Sequence, residues 1–423
     1  MKTQHPIRHR GVMLSLLMCS LLTLLAACTV NLGTPPPGTP IAGTTEGNSA
    51  SPGNSSGLSQ ATPRASIPLS HYLIVDSGAV YYAIDATTGT VIWNLQNRSF
   101  TSTPVVANGQ IYGLEQAIPF SGDTGPTQIV DIDELSGTQH WSYSLGQIQP
   151  LFAFIALVNN VVVAEIQNLG LIGVNAQTGA KLWQVTLNTL YVSGTTGMQA
   201  SRNVVYIPTT GSLDAFDVAT GHLLWQKSNA FQVAGAPGVA FVYGPCSAPY
   251  YTVFCLNAYN PLSGAQQWSS PVGVKECGSN TCTSNSNNVE PFVGGNTVYS
   301  LFAATTNSSQ TPTEDSYIDA FNASTGSLLW EYSIPDSHGQ VGAANAPNFN
   351  VIGADNSAVY YENSVGTITA LSATNHTVLW KYVDPNGQGT RLTESNGAII
   401  LLNGSTVTAL DQDTGAQRWT IQL

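Results

Sequence analysis

The stretch AIDATTGTVIW, from Ala83 to Trp93, decides the fold because its frame keeps returning. It recurs as AFDVATGHLLW from Ala215, AFNASTGSLLW from Ala320 and ALDQDTGAQRW from Ala409. Each copy sets a small residue first, Asp or Asn two places later, Gly six later and Trp ten later. Aligned throughout, the frame ends at Trp93, Trp141, Trp183, Trp225, Trp268, Trp330, Trp380 and Trp419. The 423 residues contain 8 tryptophans, so every one of them occupies the repeat position. Successive copies lie 48, 42, 42, 43, 62, 50 and 39 residues apart. A period of roughly 40–45 residues with four short strands per unit is the signature of propeller blades.

The units parse into strands around the frame. STPVVANGQIYGL (Ser102 to Leu114) gives two alternating runs joined by the tight-turn signal ANG. VVYIPTTGSLDAFDVATGHLLW (Val204 to Trp225) reads as three strands with TTG and ATG as turns. With strands lettered A to D from the axis outward, the frame is the end of C, the C–D turn and the start of D.

Each frame position has a physical reason. Gly89, Gly137, Gly179, Gly221, Gly264, Gly326 and Gly415 supply the left-handed residue of the turn. Asp85, Asp133, Asn175, Asp217, Asn260, Asn322 and Asp411 are placed to accept hydrogen bonds from the turn's own amides. A small first residue leaves room for the indole, which fills the gap between blades while its N–H finds a neighbouring carbonyl. Each indole buries roughly 150–250 Å² and contributes on the order of 3–5 kcal/mol, an upper figure. Two copies depart from the pattern. DIDELSGTQHW opens with Asp131 instead of a small residue; ALSATNHTVLW has Ser372 for Asp and His376 for Gly, and Asn375 is expected to supply the left-handed residue there.

The frame resembles the tryptophan-docking motif of the PQQ-binding-like β-propeller repeats, over about Leu69 to Leu423. That family includes quinoprotein alcohol dehydrogenases and BamB-like lipoproteins. The resemblance implies an all-β, eight-bladed propeller of four-stranded antiparallel blades, a monomeric ring, across residues 67–423. A seven-bladed ring is the alternative, because blade 1 shows no strand A of its own unless Ile67 to Tyr72 supplies it.

Residues 1–27 stand apart. Lys2, Arg8 and Arg10 precede an apolar run that ends Leu25-Ala26-Ala27-Cys28. This resembles the bacterial lipobox, which implies cleavage of a signal peptide before Cys28 and acylation of that residue. Acyl chains anchor by burying methylenes in the bilayer. The implied location is a cell membrane, facing the periplasm or the exterior. Residues 28–66 are rich in Pro, Gly, Ser and Thr and lack aromatics, so they read as a disordered tether. GNSSG (Gly53 to Gly57) lies in the tether and lacks the strand and helix a nucleophile elbow needs.

Only 9% of the chain is charged, and the formal net charge is −12. Removing Lys2, Arg8 and Arg10 from 12 basic residues leaves 9 against 24 acidic ones, a net −15. With no basic patch to neutralise phosphates, nucleic acid is excluded as a partner.

B–C loops and D–A connections share one face of a propeller, and the A–B and C–D turns share the other. The long insertions fall on the first face: Glu115–Ile129, Gly244–Tyr251, Gly273–Glu290 and Ala303–Tyr317. Variable loops on a rigid scaffold are where binding sites concentrate, which points to the loop face over blades 5 and 6. Cys246, Cys255, Cys277 and Cys282 lie in that region and, in an exported protein, suggest two disulfides. Of three possible pairings, 246–255 and 277–282 is favoured. A zinc site is the sharper alternative, but it finds no CxxC spacing or paired His.

The resemblance raises a redox enzyme as the competing function. Its dehydrogenase members carry adjacent cysteines against the quinone and a calcium held by carboxylates. Here no two cysteines are adjacent, and all eight tryptophans are committed to blade joints. DIDELSG and DQDTG lack the spacing and terminal Glu of a calcium loop. His71, His140, His222, His338 and His376 stand singly. The expectation is therefore no catalytic residue, no metal, and neither PQQ nor calcium. The expected function is a membrane-anchored scaffold that binds a protein, peptide or envelope component; the alternative is a PQQ-dependent dehydrogenase.

Overall fold

The computed structural model describes residues 72–423 apart from 77–79, 97, 118–125, 149–152, 168, 188–197, 210–211, 237, 247–253, 274–280, 284–290, 307–312, 336, 338, 341–348, 364–365, 386, 388–390 and 396. Among the described residues every regular element is a β-strand. The strands form eight separate antiparallel sheets in chain order, an eight-bladed propeller.

Blade 3 shows the plan: Ala153–Val158, Val161–Ile166, Gly170–Asn175 and Lys181–Val185 pair as neighbours, with Trp183 in the outermost strand. Blade 4 repeats it with Gln199–Ser201, Val204–Pro208, Ser212–Asp217 and Leu223–Ser228. Blade 1 shows three described strands, Tyr72–Asp76, Val80–Asp85 and Val91–Gln96, which take the B, C and D places. Tyr72 thus opens strand B, and residues 67–71, expected to supply strand A, lie outside the described residues. In blade 2, strand A is split into Arg98–Phe100 and Val105–Ala107, both paired with Gln110–Ala117; Thr127–Asp133 and Gln139–Gly146 complete the sheet.

The core is divided among the joints rather than gathered in one place. Tyr81, Phe100, Ile111, Val130 and Ile132 fill the joint between blades 1 and 2. Val158, Val161, Val163, Leu171, Val205, Ile207 and Phe216 fill that between blades 3 and 4. Leu73, Val75, Ile84 and Ala86 meet Ala398, Ile400, Val407 and Ala409 where blade 8 returns to blade 1. Strands buried on both faces explain the near-continuous apolar runs, such as VVVAEI with all six residues buried.

The indoles lie at these joints. The ring N–H of Trp93 donates to Glu134 O at 2.8 Å, Trp141 to Ala176 O at 2.9 Å and Trp183 to Val218 O at 2.8 Å. Trp225 donates to Pro261 O at 2.6 Å, Trp268 to Ala323 O at 3.1 Å and Trp380 to Gln412 O at 2.8 Å. Trp419 reaches across 333 positions of sequence to Ala86 O at 2.9 Å, which joins the last blade to the first. Each acceptor sits in the C–D turn of the following blade, and the ring lies against that turn's glycine. At Gly221, φ is +73° and an added Cβ would stand 2.6 Å from Trp183 Cε3, so both backbone and packing require glycine.

A feature absent from the sequence reading re-aims the indoles. Strand D slips register beside the tryptophan in every blade: Ala83 faces Trp93, yet Ile84 faces Val91. The same shift occurs at Asp131/Ile132, Gly173/Val174, Ala215/Phe216, Ala258/Tyr259, Ala320/Phe321, Ala370/Leu371 and Ala409/Leu410. A β-bulge adds one residue and local twist, turning the next side chain toward the neighbouring sheet.

Blade 7 corrects one expectation. The left-handed residue of its C–D turn is His376 itself, at φ +59°, and not Asn375. The turn's hydrogen bond, His376 N to Ser372 O at 3.1 Å, fixes the conformation at the sixth place whatever side chain stands there. Asn375 Oδ1 instead accepts from Thr377 N and Oγ1. The imidazole lies 4.5 Å from the Trp330 ring, where the other blades place glycine against indole.

Candidate binding face over blades 5 and 6

Blade 5 consists of Phe231–Ala236, Val239–Pro245, Phe254–Tyr259 and Gln266–Pro271. Its B–C hairpin is closed by a disulfide between Cys246 and Cys255, with Cα atoms 5.0 Å apart. Gly244 pairs with Cys255 and Pro245 with Phe254, so the bridge sits where the ladder ends and the loop begins. Both cysteines are buried. Asn257 Nδ2 donates to Cys255 O and Val242 O below the bridge. Cys282 lies in the short strand Thr281–Thr283; its expected partner Cys277, like the lipidation candidate Cys28, lies outside the described residues.

Blade 6 rises higher than its neighbours. Its B and C strands, Thr297–Thr306 and Thr313–Asn322, run ten residues each and pair from Thr297–Asn322 to Thr306–Thr313. Phe292–Gly294 and Leu328–Ser333 flank the lower half as strands A and D. Thr281–Thr283 pairs with Ala303–Thr305 on one side of the upper half, and Gly339–Gln340 pairs with Thr313 and Glu314 on the other. Much of the segment expected as the loop Ala303–Tyr317 is therefore ladder.

Contacts between blades hold this wall in place. Tyr243 O–H of blade 5 donates to Ser300 Oγ of blade 6 at 2.7 Å, and burial pushes the phenol's pKa well above its ordinary value. Gly273 N donates to Asp319 Oδ2 at 2.9 Å, with Asp319 buried. The rings of Phe302 and Tyr317 stack at 5.2 Å and 14° across the hairpin. Ser316 N donates to the buried Ser337 Oγ at 2.9 Å, and Ile334 N to Ser316 O, which ties the wall to the chain leaving blade 6. Glu314 stands where the wall meets Gly339–Gln340, and partial burial raises its pKa. The result is a braced, hydroxyl-rich and weakly acidic projection beside a cross-linked hairpin.

The acidic turns flagged in the sequence are consumed locally. Asp133 Oδ1 accepts from Ser136 N and Oγ, both at 2.7 Å. Asp411 Oδ1 accepts from Thr414 N and Oγ1, while its Oδ2 takes the Arg418 guanidinium at 2.8 Å. Arg418 and Thr414 together hold that carboxyl down at about 2. No group of three or more His, Cys, Asp or Glu side chains among the described residues is placed to hold a metal ion.

A ring of eight antiparallel sheets joined by indoles defines a β-propeller of the PQQ-like repeat class. Within that class the chain belongs to the family described as outer membrane protein assembly factor BamB, whose model matches residues 44–190, 76–237, 198–314 and 314–423. No protein of curated function matches it in sequence. Among solved structures it is similar to BamB from Moraxella catarrhalis, at 14% identity and TM-score 0.49, over 84% of this chain and 95% of that one. It is similar to the computationally designed Ika8 protein at 14% identity and TM-score 0.51, over 77% and 87%. It is also similar to the dihydro-heme d1 dehydrogenase NirN at 11% identity and TM-score 0.51, over 86% and 76%. At such identities the likeness establishes the fold alone.

The redox members of the class raise a quinone and its calcium as cofactors, and this chain's residues fit them poorly. Cys246 and Cys255 are bonded to each other across nine positions, and the chain has no adjacent cysteines. The ring N–H groups of Trp93, Trp141, Trp183, Trp225, Trp268, Trp380 and Trp419 are spent on turn carbonyls. The turn carboxylates of Asp133 and Asp411 are filled by amides, hydroxyls and a guanidinium.

Proposed function

We propose that the chain is a non-catalytic, membrane-anchored scaffold that binds a protein, peptide or envelope component on its loop face, over blades 5 and 6. The observation that carries this reading is the braced wall of blade 6 beside the disulfide-closed hairpin of blade 5. There the fold adds paired strand and a cross-link at the end of the blades from which the expected binding loops leave. Membership of the BamB family supports a protein partner in the cell envelope. The lipobox-like ending at Cys28, followed by a tether through residue 66, supports anchoring by acyl chains.

Site-specific photo-crosslinking in the native envelope tests the reading. A crosslinker at Asp315 should give a discrete adduct that one at Thr88, on the C–D turn face, does not. Equal labelling from both faces, or none from Asp315, counts against it. Replacing Cys28 with Ala should release the protein from the membrane fraction; unchanged retention refutes the anchor but not the binding face.

The dehydrogenase alternative is kept by one observation, the likeness to a protein named as a dehydrogenase at TM-score 0.51. Turnover of small alcohols in a dye-linked assay, after incubation with PQQ and Ca²⁺, would establish it and overturn the non-catalytic reading.

A further inference from the structure

Two joints on the first half of the ring bury a carboxyl with an unpartnered oxygen. Glu134 occupies the turn position that is Ala86, Ala176, Val218, Pro261, Ala323, Ala373 and Gln412 in the other blades. It is 1% exposed, and its Oε1 is buried without a hydrogen-bond partner. Glu165 lies in strand B of blade 3 between Phe154 and Leu171 of the flanking strands. It is 6% exposed, and its Oε2 is likewise buried without a partner. A buried, unpaired carboxylate is far costlier than a buried carboxylic acid.

The surroundings of each are short of positive charge. Glu134 packs in the joint with Trp93, which donates to its backbone oxygen, and its own N–H is taken by Gly109 O. Its nearest charged neighbour is Asp133, a like charge; His140, on strand D of the same blade, lies toward Asp131 and Asp133. The strands across from Glu165 contribute Val205, Ile207 and Phe216. Asp214, two residues before Phe216, is already held by Ser212 Oγ and Gln226 Nε2 at 2.8 Å each. The intervening joint, between blades 2 and 3, repeats the theme more weakly. Asp131 Oδ1 is buried and unpaired there, while Oδ2 has His140 Nδ1 at 3.5 Å and Tyr112 faces it across the ladder.

We propose that the joints of blades 1–2 and 3–4 form a proton-dependent clasp, tight while Glu134 and Glu165 are protonated and loosened as they ionise. Burial raises Glu134 to about 7, with Asp133 adding to the rise, and burial raises Glu165 to about 8. Both folded values lie above the ordinary 4.5. The native state therefore holds more protons than the unfolded chain between those limits, and stability falls as pH rises through that window. Asp131, also raised by burial, acts in the same direction. The domain is built to be most rigid in mildly acidic surroundings.

Thermal unfolding of the full-length protein in detergent, from pH 5 to pH 8.5, tests the clasp. Wild type should lose about 5–10 °C in melting temperature across the range. The isosteric double variant Glu134→Gln with Glu165→Gln mimics the protonated form. It should match wild type at pH 5 and exceed it at pH 8.5, with a flattened profile. A control, Asp413→Asn on an exposed turn outside these joints, should keep the wild-type slope. A wild-type melting temperature that is flat or rises with pH overturns the proposal, as does a double variant whose slope is unchanged. If the double variant fails to fold, the wild-type slope alone decides.

Discussion

Replacing Trp225 measures what one joint is worth. The indole is 9% exposed, and its Nε1 stands 2.6 Å from Pro261 O. Tyr206 and Tyr259 lie 5.8 and 6.1 Å from it, centroid to centroid. Its Cγ is 2.6 Å from where a Cβ on Gly264 would stand, so blade 5 closes directly onto the ring. Truncating such a residue costs about 3–5 kcal/mol, transfer and cavity together. Trp225→Phe keeps much of the apolar ring but strands the Pro261 carbonyl, which costs about 1–3 kcal/mol. Unfolding entropy of about 2.1 cal/mol/K per residue, over roughly 350 folded residues, gives about 0.7 kcal/mol/K. Trp225→Ala should therefore lower the melting temperature by about 4–7 °C, and Trp225→Phe by about 1–4 °C. Circular dichroism at fixed protein concentration reads both, with urea midpoints as a second measure. An Ala variant within 1 °C of wild type (roughly the limit of such a measurement,) refutes the joint as a source of stability. A Phe variant as unstable as the Ala variant refutes the division between ring and hydrogen bond.

Three further outcomes are expected. Gly89→Ala, at φ +73° and with its new Cβ 2.8 Å from Trp419 Cδ2, should destabilise markedly more than Gly387→Ala, at φ +77° with nothing within 4 Å. The second should cost only about 1 kcal/mol of backbone strain, and equal losses in urea unfolding would deny that the closing joint is packed. Replacing Cys246 and Cys255 with Ser opens a loop of sequence separation 9 and should cost at most about 3 kcal/mol. Adduct yield at Asp315 should fall further than stability does, and crosslinking set beside urea unfolding separates the two. Asp411, held down to about 2 by Arg418 and Thr414, contributes stability that is complete above the ordinary 3.8 and is lost as pH falls toward 2. Asp411→Asn should melt below wild type at pH 5 and converge with it near pH 2; a constant gap would assign the loss to packing instead.

The architecture was legible because one eleven-residue frame carries several independent constraints. Gly221 must be left-handed and must also admit Trp183, so its place in the sequence marks both a turn and a contact between blades. The bulge leaves no residue type behind; its trace is the odd count between Gly and Trp, which reads as ordinary spacing. His376 is a similar case. Asparagine is favoured in the left-handed region, but the hydrogen bond from His376 N to Ser372 O selects a position rather than a residue. The height of the blade 6 wall is hidden because Ala303–Tyr317 resembles loop in composition, while in the fold its two arms pair with each other and are flanked by Thr281–Thr283 and Gly339–Gln340. Glu134 and Glu165 are silent in the sequence because single acids carry no sign of the burial that makes them matter.

The two arcs of the ring are held by different chemistry, and the difference bears on function. At blades 1 to 4 the joints contain carboxyls whose charge state follows the surroundings. Between blades 5 and 6 the bridging bond runs from a phenol to a hydroxyl, Tyr243 to Ser300, and burial moves the phenol further from titration. The hairpin of blade 5 is locked by a covalent bond that no proton disturbs. Carboxyls are present on this side too, Asp319 accepting from Gly273 N in the joint and Glu314 standing on the wall with its pKa raised by burial. The two arcs therefore differ in what backs the carboxyls up: unpartnered oxygens at Glu134 and Glu165, against a phenol–hydroxyl bridge and a covalent cross-link around blade 5.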